Sequence, residues 1–275
     1  MPFIFSKNIE NRAHLALWRI NEDIDTLIPL LDPNKEESMQ ISQLRNEQRI
    51  KQWLACRIII KKLLADIGKE YNGISKDKNG KPFLKETSCS ISISHSKNYA
   101  AAILTEERSN FLMPGKMPQR HQGTKNHKVN HRLHRLTTNY TDFFKKTLCS
   151  LVTSCLSGIF SVFKKPGSNF TEASIDIELI REKILVIAPK FLTDTELIDA
   201  AGSIEKTHVY WSAKEVIYKS YGLKNLDFKK NMKIHPFKYE NEGVCKGELI
   251  TAKLHNTYTI HYKKSSDLLL VYYGG

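Results

Sequence analysis

Asp176 and Glu178 alternate with isoleucines in Ser174-Ile175-Asp176-Ile177-Glu178, and a third carboxylate, Glu215, stands four residues before Lys219. Successive side chains of a strand point to opposite faces, so Asp176 and Glu178 share one face, about 7 Å apart. Both can reach one hard cation such as Mg2+, which takes oxygen ligands and shares its shell with phosphates and water. On a helix, Glu215 and Lys219 are neighbours one turn apart. Glu215 beside the first two carboxylates, with Lys219 facing a phosphate, would stabilise charge that develops on a leaving group. Plainer readings stand beside this one: a solvated acidic edge strand, and a surface ion pair on a helix anchored by Trp211.

Two upstream runs carry anion-binding chemistry. Lys81 follows Gly80 in Gly80-Lys81-Pro82, where a turn lets backbone and side chain approach a ligand closely. His95 lies between Ser94 and Ser96 at a strand end, where Ser94 and His95 can donate to a phosphate oxygen. A turn lysine and a hydrogen-bonded histidine are the ordinary alternatives. Zinc is set aside: His121, His127, His131 and His134 include H-x3-H and H-x2-H spacings, but no paired cysteines accompany them.

The elements that must position these groups are legible in outline. Residues 3–31 read as strand and loop, and Asp32-Pro33 opens a helical region. From 47 to 67, Ile50, Trp53, Leu54, Ile58 and Leu64 recur at helical spacing, with Arg57 mid-helix and Gly68 as the stop. Residues 77–84 read as a turn leading into a strand, and 89–104 as two strands joined at Ser96–Asn98. A strand over 174–180 and a mixed helical stretch precede a helix from Trp211 that Gly222 stops. Residues 245–254, 258–264 and 267–273 close the chain as an antiparallel meander. A helix followed by hairpin strands thus occurs twice. The expected fold is α+β: two similar α/β lobes in pseudo-twofold arrangement, the site between them, interrupted by a basic insertion of low order. The expected division is 1–105, 106–172 and 173–275.

The insertion holds eleven basic and four acidic side chains, within a chain of 275 residues and net charge +13. Its first half lacks apolar periodicity, and Phe144, Leu148, Leu151, Val152, Cys155, Ile159 and Phe163 then suggest one amphipathic helix. The positive balance favours anionic partners without choosing among them. Cys56, Cys89, Cys149, Cys155 and Cys245 are scattered and odd in number, which reads as reduced thiols in the cytoplasm. No secretory signal and no transmembrane run are expected. No nucleic-acid reading motif appears, so no specific nucleic acid is expected.

Taken in order, Gly80-Lys81-Pro82, Ser92-Ile93-Ser94-His95-Ser96, Ile175-Asp176-Ile177-Glu178 and Trp211–Lys219 resemble the 4′-phosphopantetheinyl transferase superfamily. The likeness is to the surfactin-synthetase-activating type, with two lobes in one chain, and covers roughly residues 35–104 and 174–275. It implies transfer of the phosphopantetheine arm of coenzyme A to a serine of an apo acyl or peptidyl carrier protein, with release of 3′,5′-ADP. It also implies Mg2+ or Mn2+ on Asp176, Glu178 and Glu215, with Glu215 as ligand or general base. Lys219 would act on the phosphates, and Arg57, Lys81, Ser94, His95 and Lys214 would join it in binding the coenzyme. A monomer is implied, since one chain supplies both lobes. Ser174 stands where the family usually has glycine, and Val216 where it usually has alanine. The insertion is a further departure. It leaves open a relative that binds coenzyme A or a carrier without transfer, and a nucleic-acid or membrane binder acting through residues 116–165.

Overall fold

The computed structural model describes residues 4–9, 12–106 and 173–274. It begins with a hairpin, β1 (Phe5–Ile9) and β2 (Ala13–Arg19). The strand-and-loop expectation for residues 3–31 needs correction at its end, because Ile24–Leu31 is a helix, α1. Asp23 starts it by accepting the Thr26 N–H at 2.8 Å. Pro29 lies inside the helix and hides it from a reading by propensity. A capping box between Asn34 and Glu37 then opens α2 (Lys35–Ser42).

Helix α3 (Glu47–Asp66) follows Asn46, whose side chain accepts the Arg49 N–H. It buries Leu54, Ile58 and Leu64 with Trp18, Leu27 and Ala102. Strands β3 (Ile74–Lys76) and β4 (Pro82–Leu84) form a small hairpin, and β5 (Ser90–Ser96) and β6 (Tyr99–Thr105) a second one. The first sheet has the order β1-β2-β6-β5. At the tip of its second hairpin Lys97 adopts φ 47°, and Gln48 and Gln52 both donate to its carbonyl, at 2.7 and 2.8 Å. The tip that carries His95 is thereby pinned to α3.

The C-terminal part opens with β7 (Ser174–Leu179), then α4 (Lys183–Phe191), α5 (Asp194–Ala200) and α6 (Ile204–Tyr221). A short α7 (Phe228–Asn231) leads to β8 (Met232–Ile234), β9 (Glu242–Thr251), β10 (Leu254–Ser265) and β11 (Leu268–Tyr273). The antiparallel meander is present within a sheet of order β7-β11-β10-β9-β8. Helix α6 starts well before Trp211, at the Ser203 cap, and Gly222 ends it at φ 68°. Its apolar side meets the sheet through Val209, Ala213, Val216, Ile217, Leu249 and Ile260.

The described segments on either side of residues 107–172 form one unit. Ile175, Ile177 and Leu179 pack with Leu15, Leu17, Ala101 and Ile103 of the first sheet. Burial of each such leucine or isoleucine contributes about 1.5–3 kcal/mol. The fold is α+β, with seven helices and three antiparallel sheets among the described residues. No described helix is long and apolar enough to cross a membrane. The expectations of low order, an amphipathic helix and clustered histidines in the 106–172 insertion fall on residues outside the described ones, Glu106 excepted.

Candidate active site

Strand β7 pairs with β11 on one side only, which leaves backbone N–H groups along its other edge. Serines of β5 satisfy them. Ile175 N–H donates to Ser92 Oγ and Ile177 N–H to Ser94 Oγ, both at 3.3 Å. Ser92 and Ser94 therefore act as rungs from one sheet to the edge of the other. With the isoleucines of β7 turned to the shared core, Asp176 and Glu178 face α6. Asp176 is only 4% exposed, so the acidic face is roofed by the helix rather than solvated.

Lys219 reaches this face from α6. Its Nζ donates to Asp176 Oδ1 at 2.7 Å, to Ile175 O at 2.9 Å and to Ser94 Oγ at 3.2 Å. Ser94 Oγ–H in turn donates a hydrogen bond to Asp176 Oδ1 at 2.9 Å. Glu178 accepts from Trp211 Nε1 at 3.4 Å. Burial raises the Glu178 carboxyl above its usual range, and the Asp176 charge adds to this. Glu215 is pushed up to about 7, first by burial and then by Asp176, with Lys219 opposing and Glu178 adding. Three carboxylates thus share one partly buried region, and Glu215 is poised near neutrality.

Beside the cluster lies a cavity of about 260 Å³, with Gly80, Ser92, Lys76, Lys81, Lys219 and Lys224 in its wall. Four lysines and no carboxylate line it, so it attracts an anion. Gly80 has φ 86°, as the turn before Lys81 requires. His95 receives a bond from Arg49 Nη1 at Nε2, 3.1 Å away, because a guanidinium can only donate. Burial, then the charges of Arg49 and Lys219, holds its pKa below the usual value. His95 is therefore neutral at pH 7, with its proton on Nδ1.

Residues 36–105, from α2 through β6, match the family model of the 4′-phosphopantetheinyl transferase N-terminal domain. That stretch of the chain is similar to the N-terminal domain of phosphopantetheinyl transferases. No curated protein matches the chain. The match supports a transferase of this kind and spans Arg57, Lys81, Ser94 and His95.

Three residues expected to bind the coenzyme have other commitments in the structure. Lys214 is fully buried. Its Nζ meets Glu196 Oε2 at 2.7 Å and the carbonyls of Phe191, Phe228 and Met232 at 2.8 to 3.1 Å. Enclosed by those acceptors and shut off from solvent, Lys214 ties α4, α5, α7 and β8 together and offers nothing to a ligand. Arg57 is 5% exposed, stacked over Trp53 at 3.4 Å, with Nε 3.3 Å from Glu37 Oε1. It fastens α3 to α2 instead of reaching the cavity. Ser94 has its single proton on Asp176, which leaves none for a phosphate. Its role is to seat the carboxylate. Ser94→Ala removes that seat and strands the Ile177 N–H without an acceptor. We expect a loss of about 1–3 kcal/mol in urea denaturation, and an unchanged midpoint would contradict the seating role.

Arg49 was not visible as a site residue in the sequence. The one signal for it is its place two turns before Arg57, just inside the Asn46 cap. Trp211, readable only as a core anchor, also orients Glu178. For a metal, the donor set is all oxygen, as Mg2+ prefers. Asp176 Oδ2 is buried without a hydrogen-bond partner, a costly state that a cation would relieve. The three carboxylates do not converge as they stand: among the described residues no three His, Cys, Asp or Glu side chains form a metal-holding group. Lys219 instead neutralises Asp176 directly.

Proposed function

We propose that the chain transfers the 4′-phosphopantetheine arm of coenzyme A to a serine of an apo acyl or peptidyl carrier protein, in the cytoplasm, and releases 3′,5′-ADP. The observation that carries this reading is the lysine-lined cavity opening beside Lys219, Asp176 and a Glu215 that titrates near 7. The cavity lysines, Lys81 and Lys219 among them, would bind the pyrophosphate, and Arg49 and neutral His95 a further phosphate. Glu215 would take the proton of the carrier serine as its oxygen bonds to the β-phosphorus. The bond from that phosphorus to the bridging oxygen breaks, and 3′,5′-ADP leaves with the electron pair. Lys219 would neutralise the charge that develops there.

Asp176 and Glu178 would hold Mg2+, with Mn2+ as a substitute and with Glu215 as third ligand only if another group takes the serine proton, and the unpartnered Asp176 Oδ2 supports that assignment. A bound divalent ion would neutralise pyrophosphate charge. The two-lobed reading belongs here too. It is supported by α3 lying on β1-β2-β6-β5 and α6 on β7-β11-β10-β9-β8.

The test is intact-mass spectrometry of apo acyl and peptidyl carrier proteins incubated with the chain, coenzyme A and Mg2+. A phosphopantetheine addition is expected on at least one. A second reading, a relative that binds the coenzyme without transfer, is favoured by the direct Lys219–Asp176 ion pair at 2.7 Å. Coenzyme A binding by calorimetry with no addition on any carrier would establish that reading instead.

A further inference from the structure

We infer that Ser174 is a positioning residue whose buried hydroxyl holds α6 in register on β7, so that Glu215 and Lys219 stand over Asp176. Its effect on transfer rests on the proposed function; its effect on the helix does not. Ser174 has no solvent exposure. It lies on the α6-facing side of β7, two residues from Asp176, as strand alternation requires. Its Oγ donates to Val216 O at 2.8 Å. A backbone carbonyl has two lone pairs, so Val216 keeps its bond within the helix and accepts Ser174 as well. Val216 directly follows Glu215.

Helix α6 is therefore tied to β7 at two points one turn apart. One is Ser174–Val216, and the other is Lys219, which bonds both Ile175 O and Asp176 Oδ1. A helix advances about 1.5 Å and turns about 100° per residue, so a small slip swings Glu215 away from the acidic face. The Lys219 tie is soft by nature, because a lysine side chain has four rotatable bonds and must also serve the cavity. The Ser174 tie is short, buried and independent of any ligand. Glycine, the residue the family resemblance leads one to expect at 174, has no such hydroxyl.

The variants are Ser174→Ala, which removes only the hydroxyl, and Ser174→Gly. They are read by kcat and KM for coenzyme A on a carrier protein, by hydrogen exchange over residues 212–221, and by thermal midpoint. Both variants are expected to exchange faster over 212–221 and to lose roughly tenfold in kcat, since misplacement of catalytic groups by a fraction of an ångström is costly. KM for coenzyme A should stay within about twofold, because the cavity lysines are unchanged. Wild-type kcat and exchange in Ser174→Ala would overturn the inference, as would a lowered thermal midpoint alone. A fully active Ser174→Gly beside an impaired Ser174→Ala would also overturn it, since packing rather than the hydroxyl would then be responsible. Faster exchange in the variants of a wild-type chain that modifies no carrier would uphold the register role and remove the transferase reading.

Discussion

Glu215→Gln is expected to slow the proposed transfer and, in the metal-free protein at pH 8, to increase stability. The two effects have one cause. Glu215 is raised from 4.5 to about 7 by burial and by Asp176, so the folded chain holds its proton more tightly than the unfolded chain does. The native state then binds more protons between about pH 4.5 and 7, and stability falls as pH rises through that window. Above it the penalty is complete, on the order of 3 kcal/mol for a shift of this size. Glutamine keeps the shape, removes the charge and removes the slope. His95 and His208 have depressed pKa values, chiefly from burial, and act with the opposite sign. They are common to both proteins and cancel in the difference. Urea denaturation with a chelator at pH 5 and pH 8 measures it: wild type should lose more stability over the interval than Glu215→Gln. Equal pH slopes would show that Glu215 is not the group concerned. Transfer should fall by roughly 10²–10⁴, as for loss of a general base. A variant that transfers at the wild-type rate would remove Glu215 from the mechanism.

Lys214→Met destabilises the fold by about 3–5 kcal/mol, the cost of leaving a buried charge without its partner. Glu196 is 2% exposed and would lose the ammonium 2.7 Å from its Oε2. It would keep its bonds from the Thr193 and Ile234 N–H groups, which orient the carboxylate without neutralising it. Adding Glu196→Gln removes the stranded charge, so the double variant should recover part of the loss. The non-additivity of the two changes in a denaturation cycle is the quantity to measure. Coenzyme A affinity of the folded protein should be unaffected, because Lys214 faces the interior. A Lys214→Met chain of wild-type stability that binds coenzyme A weakly would restore the cofactor role and reject the structural one.

Lys214 and Lys219 show how far the pattern could be read. They are five residues apart on one helix, both charged, in one motif. Their residue types do not distinguish them. One is enclosed by carbonyls from three other segments, and the other lines the cavity. Ser94 makes the same point at the level of a single proton. The sequence places a hydroxyl at the strand end, but only the approach of β7 decides that its hydrogen goes to Asp176. Helix α1 escaped for a local reason, since Pro29 breaks the usual helical signature.

By itself the sequence determined the alternation that puts Asp176 and Glu178 on one face, and the turn at Gly80. It also determined the helix carrying Glu215 and Lys219, and the closing meander. These are short-range consequences of backbone geometry, and residue periodicity carries them. Tertiary structure alone decided that the acidic face is roofed, that Arg49 meets His95, and that Arg57 and Lys214 serve the core. It also decided that Ser174 fastens strand to helix. The physical reason is that desolvation, charge pairing and proton assignment depend on which segments meet across 14 to 125 positions, and no local pattern encodes that meeting.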